Sequence, residues 1–425
     1  TLAVVLAIDA SGSMRHTDPY RLRETAARMF IDLLSPEDFL GIITFDHEVQ
    51  VVLPLQQAGA APEKAVFKER LSSALQPRGN TDFTIALEAA RKELLKGAAE
   101  GARPVVVLLT DGEPDPDPRR SQDTAFMDSY MKSLWDAVQA CALEGISVYT
   151  VGFSPEINPE IMQKISLDTR GDCYILNEPA EMLLSFFELL GNLKNRRTLI
   201  EEVHSLQGAP YTFTFDVDEY TEQVNLVAVS LEPSSGNCGL SLKPPGGEAL
   251  QLESLTLSNE KNYSMAVLSQ PGEAYRGQWQ ASVSGNGRVR LLGDMDLSVK
   301  GWLEEPAPAS QHPLHEPLDF RVKVTGAAGQ LLRDLQVEIQ LKKPGLDRIE
   351  TVPLAEAGGY YTGSYTGVDR AGTYELELRL LLDNQLVSSS AHRLYVKLLP
   401  ALSTDFRTEN GCRLGEDVAF SASLL

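Results

Sequence analysis

Asp9, Ser11 and Ser13 fall on alternate residues of the opening stretch Leu2–Met14 (LAVVLAIDASGSM), which puts one carboxylate and two hydroxyls within five residues. Two distant loops carry oxygen of the same kind. One is Arg78-Gly79-Asn80-Thr81-Asp82, in which Thr81 offers a hydroxyl; the other is Thr110-Asp111-Gly112, in which Asp111 offers a carboxylate. Oxygen-only donors suit Mg²⁺, Mn²⁺ or Ca²⁺ rather than zinc. Each loop alone also has a plainer reading, as a turn, a helix N-cap or an Asp-Gly strand end. Taken together they matter, because adjacent parallel strands deliver their carboxyl ends to one sheet edge, where open α/β sheets bind ligands. Asp9, Ser11, Ser13, Thr81 and Asp111 can then surround a single cation.

The flanking elements fit that placement. Leu2–Ile8 is a short, nearly unbroken apolar run rich in Val and Ile, the pattern of a strand covered on both faces. Phe39–Phe45, Pro104–Thr110, Ile146–Val151 and Cys173–Leu176 read likewise as strands. Asp46-His47-Glu48 turns the second strand into a hairpin with Val49–Leu53. Amphipathic helices are predicted over Arg21–Leu34, Pro62–Leu75, Asp82–Lys96, Asp123–Leu143, Pro159–Leu167 and Ala180–Leu190. This alternation predicts a doubly wound α/β, Rossmann-like domain over residues 1–197. Helical periodicity then vanishes. Short alternating segments broken by Pro-Gly and Gly-Asn-Gly turns predict all-β sandwich domains over 198–305 and 306–400. Glu304-Glu305-Pro306-Ala307-Pro308-Ala309 reads as the linker between them. Leu414–Leu425 repeats the rhythm of Leu314–Val324, so 401–425 reads as the first strand of a further, truncated β domain.

The 425 residues are too many for one core, and the chain is expected to be multidomain. A formal net charge of −21 argues against nucleic acid or an anionic membrane surface as partner. No run of eighteen apolar residues exists, so no membrane insertion is expected. The chain starts in a strand and stops in one, so both ends read as cuts through a longer chain, with any signal or anchor outside them. Cys141, Cys173, Cys238 and Cys412 are too few and too scattered for a disulfide framework; buried free thiols are expected, with a Cys141–Cys173 bridge left open. Catalytic signatures are missing: His47-Glu48 and His315-Glu316 lack the second His of H-E-x-x-H, and neither a phosphate-binding loop nor G-x-S-x-G occurs. Ser11 and Ser13 have no evident His partner. The expectation is a binding protein, not an enzyme.

Asp9-Ala10-Ser11-Gly12-Ser13, Thr81 in GNTD and Asp111 in LLTDG together resemble the von Willebrand factor type A domain with its metal-ion-dependent adhesion site; GIITFD (41–46) and ISVYTVGF (146–153) resemble its core strands. The resemblance covers about residues 1–195. It implies that Ser11, Ser13 and Thr81 offer hydroxyls directly to the metal, while Asp9 and Asp111 act mostly through coordinated waters. Mg²⁺ is the expected ion, with Ca²⁺ or Mn²⁺ as alternatives. The resemblance also implies an open position on the cation, filled by an acidic side chain of a protein ligand. The proline- and acid-rich loop Glu113–Arg120 borders this face, and Asp115 or Asp117 could take that position instead; Arg15, His16 and Asp18 are expected on the rim. The β part resembles bacterial immunoglobulin-like spacer domains, on the Gly-Gly-Tyr-Tyr-x-Gly and Ala-Gly-Thr-Tyr-x-Leu segments. The expected protein is a secreted or cell-surface, extracytoplasmic adhesion module on β-sandwich spacers. The alternatives are an intracellular assembly factor working with an ATPase, a hydrolase, and a relative of the calcium-activated chloride channel regulators, whose protease domain is not seen here.

Overall fold

The computed structural model describes residues 1–97, 101–154, 157–176, 181–231, 238–246, 255–259, 263–269, 272–307, 310–326, 335–382 and 385–397, and the short pairs 402–403 and 423–424. Strand β1 (Leu2–Asp9) is buried along its whole length and sits inside a six-stranded sheet of order β3-β2-β1-β4-β5-β6. Its companions are β2 (Phe39–Phe45), β3 (Val49–Gln57), β4 (Arg103–Thr110), β5 (Ser147–Gly152) and β6 (Cys173–Ile175). β1 runs parallel to β2 on one side, from Ala3↔Phe39 to Asp9↔Phe45, and parallel to β4 on the other, from Leu2↔Arg103 to Ile8↔Leu109. Only β3 is antiparallel, as the hairpin partner of β2.

Among the described residues seven helices flank the sheet: α1 (Met14–Thr17), α2 (Leu22–Leu33), α3 (Ala61–Ala74), α4 (Phe83–Gly97), α5 (Thr124–Leu143), α6 (Pro159–Asp168) and α7 (Met182–Lys194). Side chains alternate across a strand, so β1 feeds two cores. Leu2, Val4, Leu6 and Ile8 pack with α2, α3 and α7; Ala3, Val5 and Ala7 pack with α4, α5 and α6. That double coverage is why the strand reads as apolar at every position. The predicted helices recur with no end moved by more than four residues. The helix expected at Ala180–Leu190 starts partly outside the described residues and runs on to Lys194.

The rest of the described chain is β. A five-stranded sheet (Arg197–Gln207, Thr221–Ser230, Leu255–Asn259, Tyr263–Ser269 and Asn286–Leu297) faces a three-stranded one (Tyr211–Val217, Gly239–Lys243 and Gly277–Ser284) across a core centred on Trp279. Beyond it, eight strands form one continuous ladder. Ile349–Ala357 is its corner: residues 349–354 pair with Leu335–Lys342, and 355–357 pair with Tyr360–Tyr365. Lys300–Glu305 pairs with Leu318–Thr325 in this ladder, with Gly301 and Leu303 buried. Glu304 and Glu305, read from sequence as linker, are therefore strand; the Pro-rich tail beside them masks a six-residue alternation. Cys141, Cys173 and Cys238 are free thiols. Cys412 and most of 401–425 lie outside the described residues.

The first β unit docks directly on the α/β unit. Val227, Val229, Tyr263, Met265 and Leu292 join the core cluster of α2 and α7. Tyr263 Oη of this unit donates to Asp32 at 3.4 Å, and Tyr395 Oη of the second β unit donates to Asp172 at 2.8 Å. A cavity of about 640 Å³ remains where the units meet, lined by Arg103, Asp172, Arg196, Asp294, His392 and Arg393 among others.

Candidate metal centre

Three loops meet at the carboxyl ends of β1 and β4. The first follows β1, carries Ser11 and Ser13, and leads into α1. Asp9 is fully buried; its Oδ1 accepts from the Ser11 N–H at 2.7 Å and its Oδ2 from Thr110 Oγ1 at 2.6 Å. The Ser11 and Ser13 hydroxyls lie 2.9 Å apart, and Ser13 Oγ donates to Asp111 Oδ1 at 2.9 Å. Asp111, also fully buried, accepts from Thr17 Oγ1 on its other oxygen. Four of the five predicted residues thus form one hydrogen-bonded chain, Asp9–Ser11–Ser13–Asp111, across two strand ends.

Thr81 arrives through the main chain. Gly12 N–H donates to Gly79 O at 3.1 Å and Arg78 N–H donates to Ala10 O at 2.8 Å, which lays residues 78–81 along the first loop. Gly79 has φ +64, and a Cβ there would come within 2.0 Å of His47 Nδ1, so only glycine fits this crossing. Arg78 Nε donates to Asp46 Oδ2 at 2.6 Å and ties the same segment to the β2–β3 turn. Thr81 is buried and exchanges both main-chain hydrogen bonds with Asp115, at 2.8 and 3.1 Å. The loop after β4 is therefore part of the site's wall, and Asn80 Nδ2 holds it again at Pro116 O.

The electrostatics are those of an acidic pocket. Burial, with the nearby Asp111 charge, pushes the Asp9 carboxyl up to about 7, and burial raises Asp111 as well. Burial, then Asp117, raises Asp115, whose Oδ1 is buried without a hydrogen-bond partner. Hydroxyls and one main-chain N–H, rather than basic side chains, meet Asp9 and Asp111. Among the described residues no cluster of three His, Cys, Asp or Glu is placed to hold a metal. A cation here would have to rely on a mixed set of hydroxyls and two carboxylates. Such a set, oxygen throughout and with its acids raised by burial, fits a hard divalent ion.

Two contributors were not foreseen. Thr110 and Thr17 buttress the two carboxylates, and both had a signal: Thr110 immediately precedes Asp111, and Thr17 lies one helical turn beyond Ser13, whose carbonyl it also reaches. Asp18, expected on the rim, is instead 2% exposed; it accepts from Leu22 N–H at 2.6 Å and Arg23 Nη1 at 2.7 Å, and so starts α2. Arg15 does lie at the surface, donating to Pro77 O.

The family model of the von Willebrand factor type A domain matches residues 3–188. The N-terminal unit is a von Willebrand factor type A domain. Over 196 residues, 46% of this chain, it is 30% identical to an uncharacterized protein of Synechocystis, covering 42% of that protein. Over 282 residues, 64% of this chain, it is 24% identical to human inter-alpha-trypsin inhibitor heavy chain H6, covering 20% of it. The chain thus spans less than half the length of these relatives. A solved von Willebrand factor type A structure from Catenulispora acidiphila aligns over 93% of this chain and 67% of its own, at 17% identity and a TM-score of 0.38. Type A domains are general protein-interaction or adhesion modules, and the C-terminal region attached to this one is mostly β-strand in several sheets.

Proposed function

We propose that the type A domain captures a protein partner through a divalent cation held at a metal-ion-dependent adhesion site made of Asp9, Ser11, Ser13, Thr81 and Asp111. The observation that carries this reading is the Asp9–Ser11–Ser13–Asp111 chain at the sheet edge, in which two adjoining hydroxyls stand between two buried carboxylates. Ser11, Ser13 and Thr81 would hold the ion, and Asp9 and Asp111 would orient its waters. Bound there, a hard cation such as Mg²⁺ supplies a positive centre for an acidic side chain of the partner. Ca²⁺ and Mn²⁺ suit the same donors.

The reading contains no hydrolytic step: Ser13 Oγ donates to Asp111, so its proton is committed to the site's own carboxylate. The β units act as spacers in this reading, and the protein works outside the cytoplasm. Titration calorimetry with Mg²⁺ tests the site. One binding event is expected for the intact chain and none for Asp9→Ala, with a cooperative thermal melt retained; Mg²⁺ affinity unchanged in Asp9→Ala removes the assignment.

A further inference from the structure

Asp115 is the acidic residue of the proline-rich loop with a buried oxygen that nothing at the site meets. Its main chain pairs with Thr81 in both directions, and directly opposed residues of such a pair carry their side chains on one face, Cβ atoms about 5 Å apart. The Asp115 carboxylate therefore stands on the same face of the pair as the Thr81 hydroxyl. Its Oδ1 is buried and has no hydrogen-bond partner, a costly state for a carboxylate oxygen unless something charged meets it. Pro114 and Pro116 fix φ on either side, and Asn80 holds Pro116 O at 3.3 Å, so the loop is stiff where it meets Thr81.

We propose that Asp115 supplies a direct carboxylate oxygen to the cation, taking from within the chain the position that a partner's acidic group would fill. This rests on the cation reading above. The site is then self-occupied at rest, and a partner binds by displacing Asp115. The orphaned oxygen and the main-chain pairing with Thr81 single out Asp115 for this role, and the flanking prolines keep its loop stiff beside the site.

Mn²⁺ alone is the probe, followed by calorimetry and by water-proton relaxation, which reports the exchangeable waters on the bound ion. Asp115→Asn should weaken Mn²⁺ about 10-fold, the scale of losing a supporting metal-site group, and should raise the relaxation per bound ion as water replaces the carboxylate. Metal-free thermal melts of the variant and of Asp115→Ala confirm folding, since the side chain's buried oxygen makes no bond to lose. Relaxation per bound ion that does not change in Asp115→Asn overturns the proposal, whatever the affinity does. Thr81→Ala separates the two ideas. If it binds Mn²⁺ like the intact chain, the five-residue site itself is wrong; if it loses Mn²⁺ while Asp115→Asn keeps the intact chain's relaxation, only the role of Asp115 falls.

Discussion

Thr110 Oγ1 reaches across from β4 to Asp9 Oδ2, so the deepest carboxylate is held by a hydroxyl outside the five residues assigned to the cation. Thr110→Val keeps the shape and removes that donor. A hydroxyl that fixes the direction of a metal-site carboxylate in this way is worth about 10-fold or more in metal affinity. The expected outcome is that loss by Mg²⁺ calorimetry, with one binding site retained. Gly79 is the other residue whose type is dictated by its place. Gly79→Ala puts an L side chain at φ +64 and drives it into His47, which should cost at least about 1–2 kcal/mol in a denaturant titration. At this scale the sequence was most legible where spacing is local. Asp9-x-Ser11-x-Ser13 alone also reads as a turn or helix cap and Asp111 alone as a strand-end turn, but the strand that carries each one places both loops at the same sheet edge. Thr110 and Thr17 went unread because a threonine next to a site looks the same whether it buttresses the site or faces solvent. Asp18 was misplaced for a related reason: an acid near a loop is as often a helix start as a rim residue.

Among the elements, β1 and α7 show what patterning can and cannot reveal. The unbroken apolar run of β1 announces cover on both faces, and its two residue sets do feed two cores. The apolar crowding of α7 announces burial but not the partner. Phe186 packs edge-to-face on Phe30 at 5.8 Å, in a cluster that also contains Val227, Tyr263 and Met265 of the first β unit. Phe186→Ala should therefore destabilise by about 3–5 kcal/mol in chemical denaturation. The segment Lys300–Glu305 shows the opposite failure, because its pairing with Leu318–Thr325 depends on contacts that no local pattern encodes.

At the scale of the whole molecule, α2 and α7 share their burial with the first β unit, while the second β unit keeps a core of its own. Residues 1–197 expressed alone would expose the α2–α7 face covered by Val227, Val229 and Met265. The expected outcome is a lower melting temperature than the full chain and self-association on sizing columns. His392, half-buried at the junction cavity, bonds to Ser390 and is held down to about 4 by burial and by Arg103. Its folded value lies below the ordinary 6.5, so between those limits the unfolded chain binds a proton that the folded chain refuses. Stability from this group is present above pH 6.5 and is lost as pH falls towards 4. Asp294, raised to about 6 by burial, works in the opposite sense over part of that range. Urea stability of His392→Gln minus that of the intact chain isolates the histidine: the difference should shift in favour of the variant on going from pH 7 to pH 5. The arrangement of the units around this cavity was not legible in the sequence, since charged residues from distant segments meet there without any shared spacing.

A cation at the carboxyl edge of the type A sheet is what capture of an acidic partner group requires. Crystals grown with Mn²⁺ and measured at the manganese absorption edge test it most directly. The expected result is an anomalous peak between Ser11 Oγ, Ser13 Oγ and Thr81 Oγ1, at about 2.0–2.2 Å from each, scaled from the usual spacing of small hard cations. A well-ordered loop set with no peak there means that these five residues hold no cation.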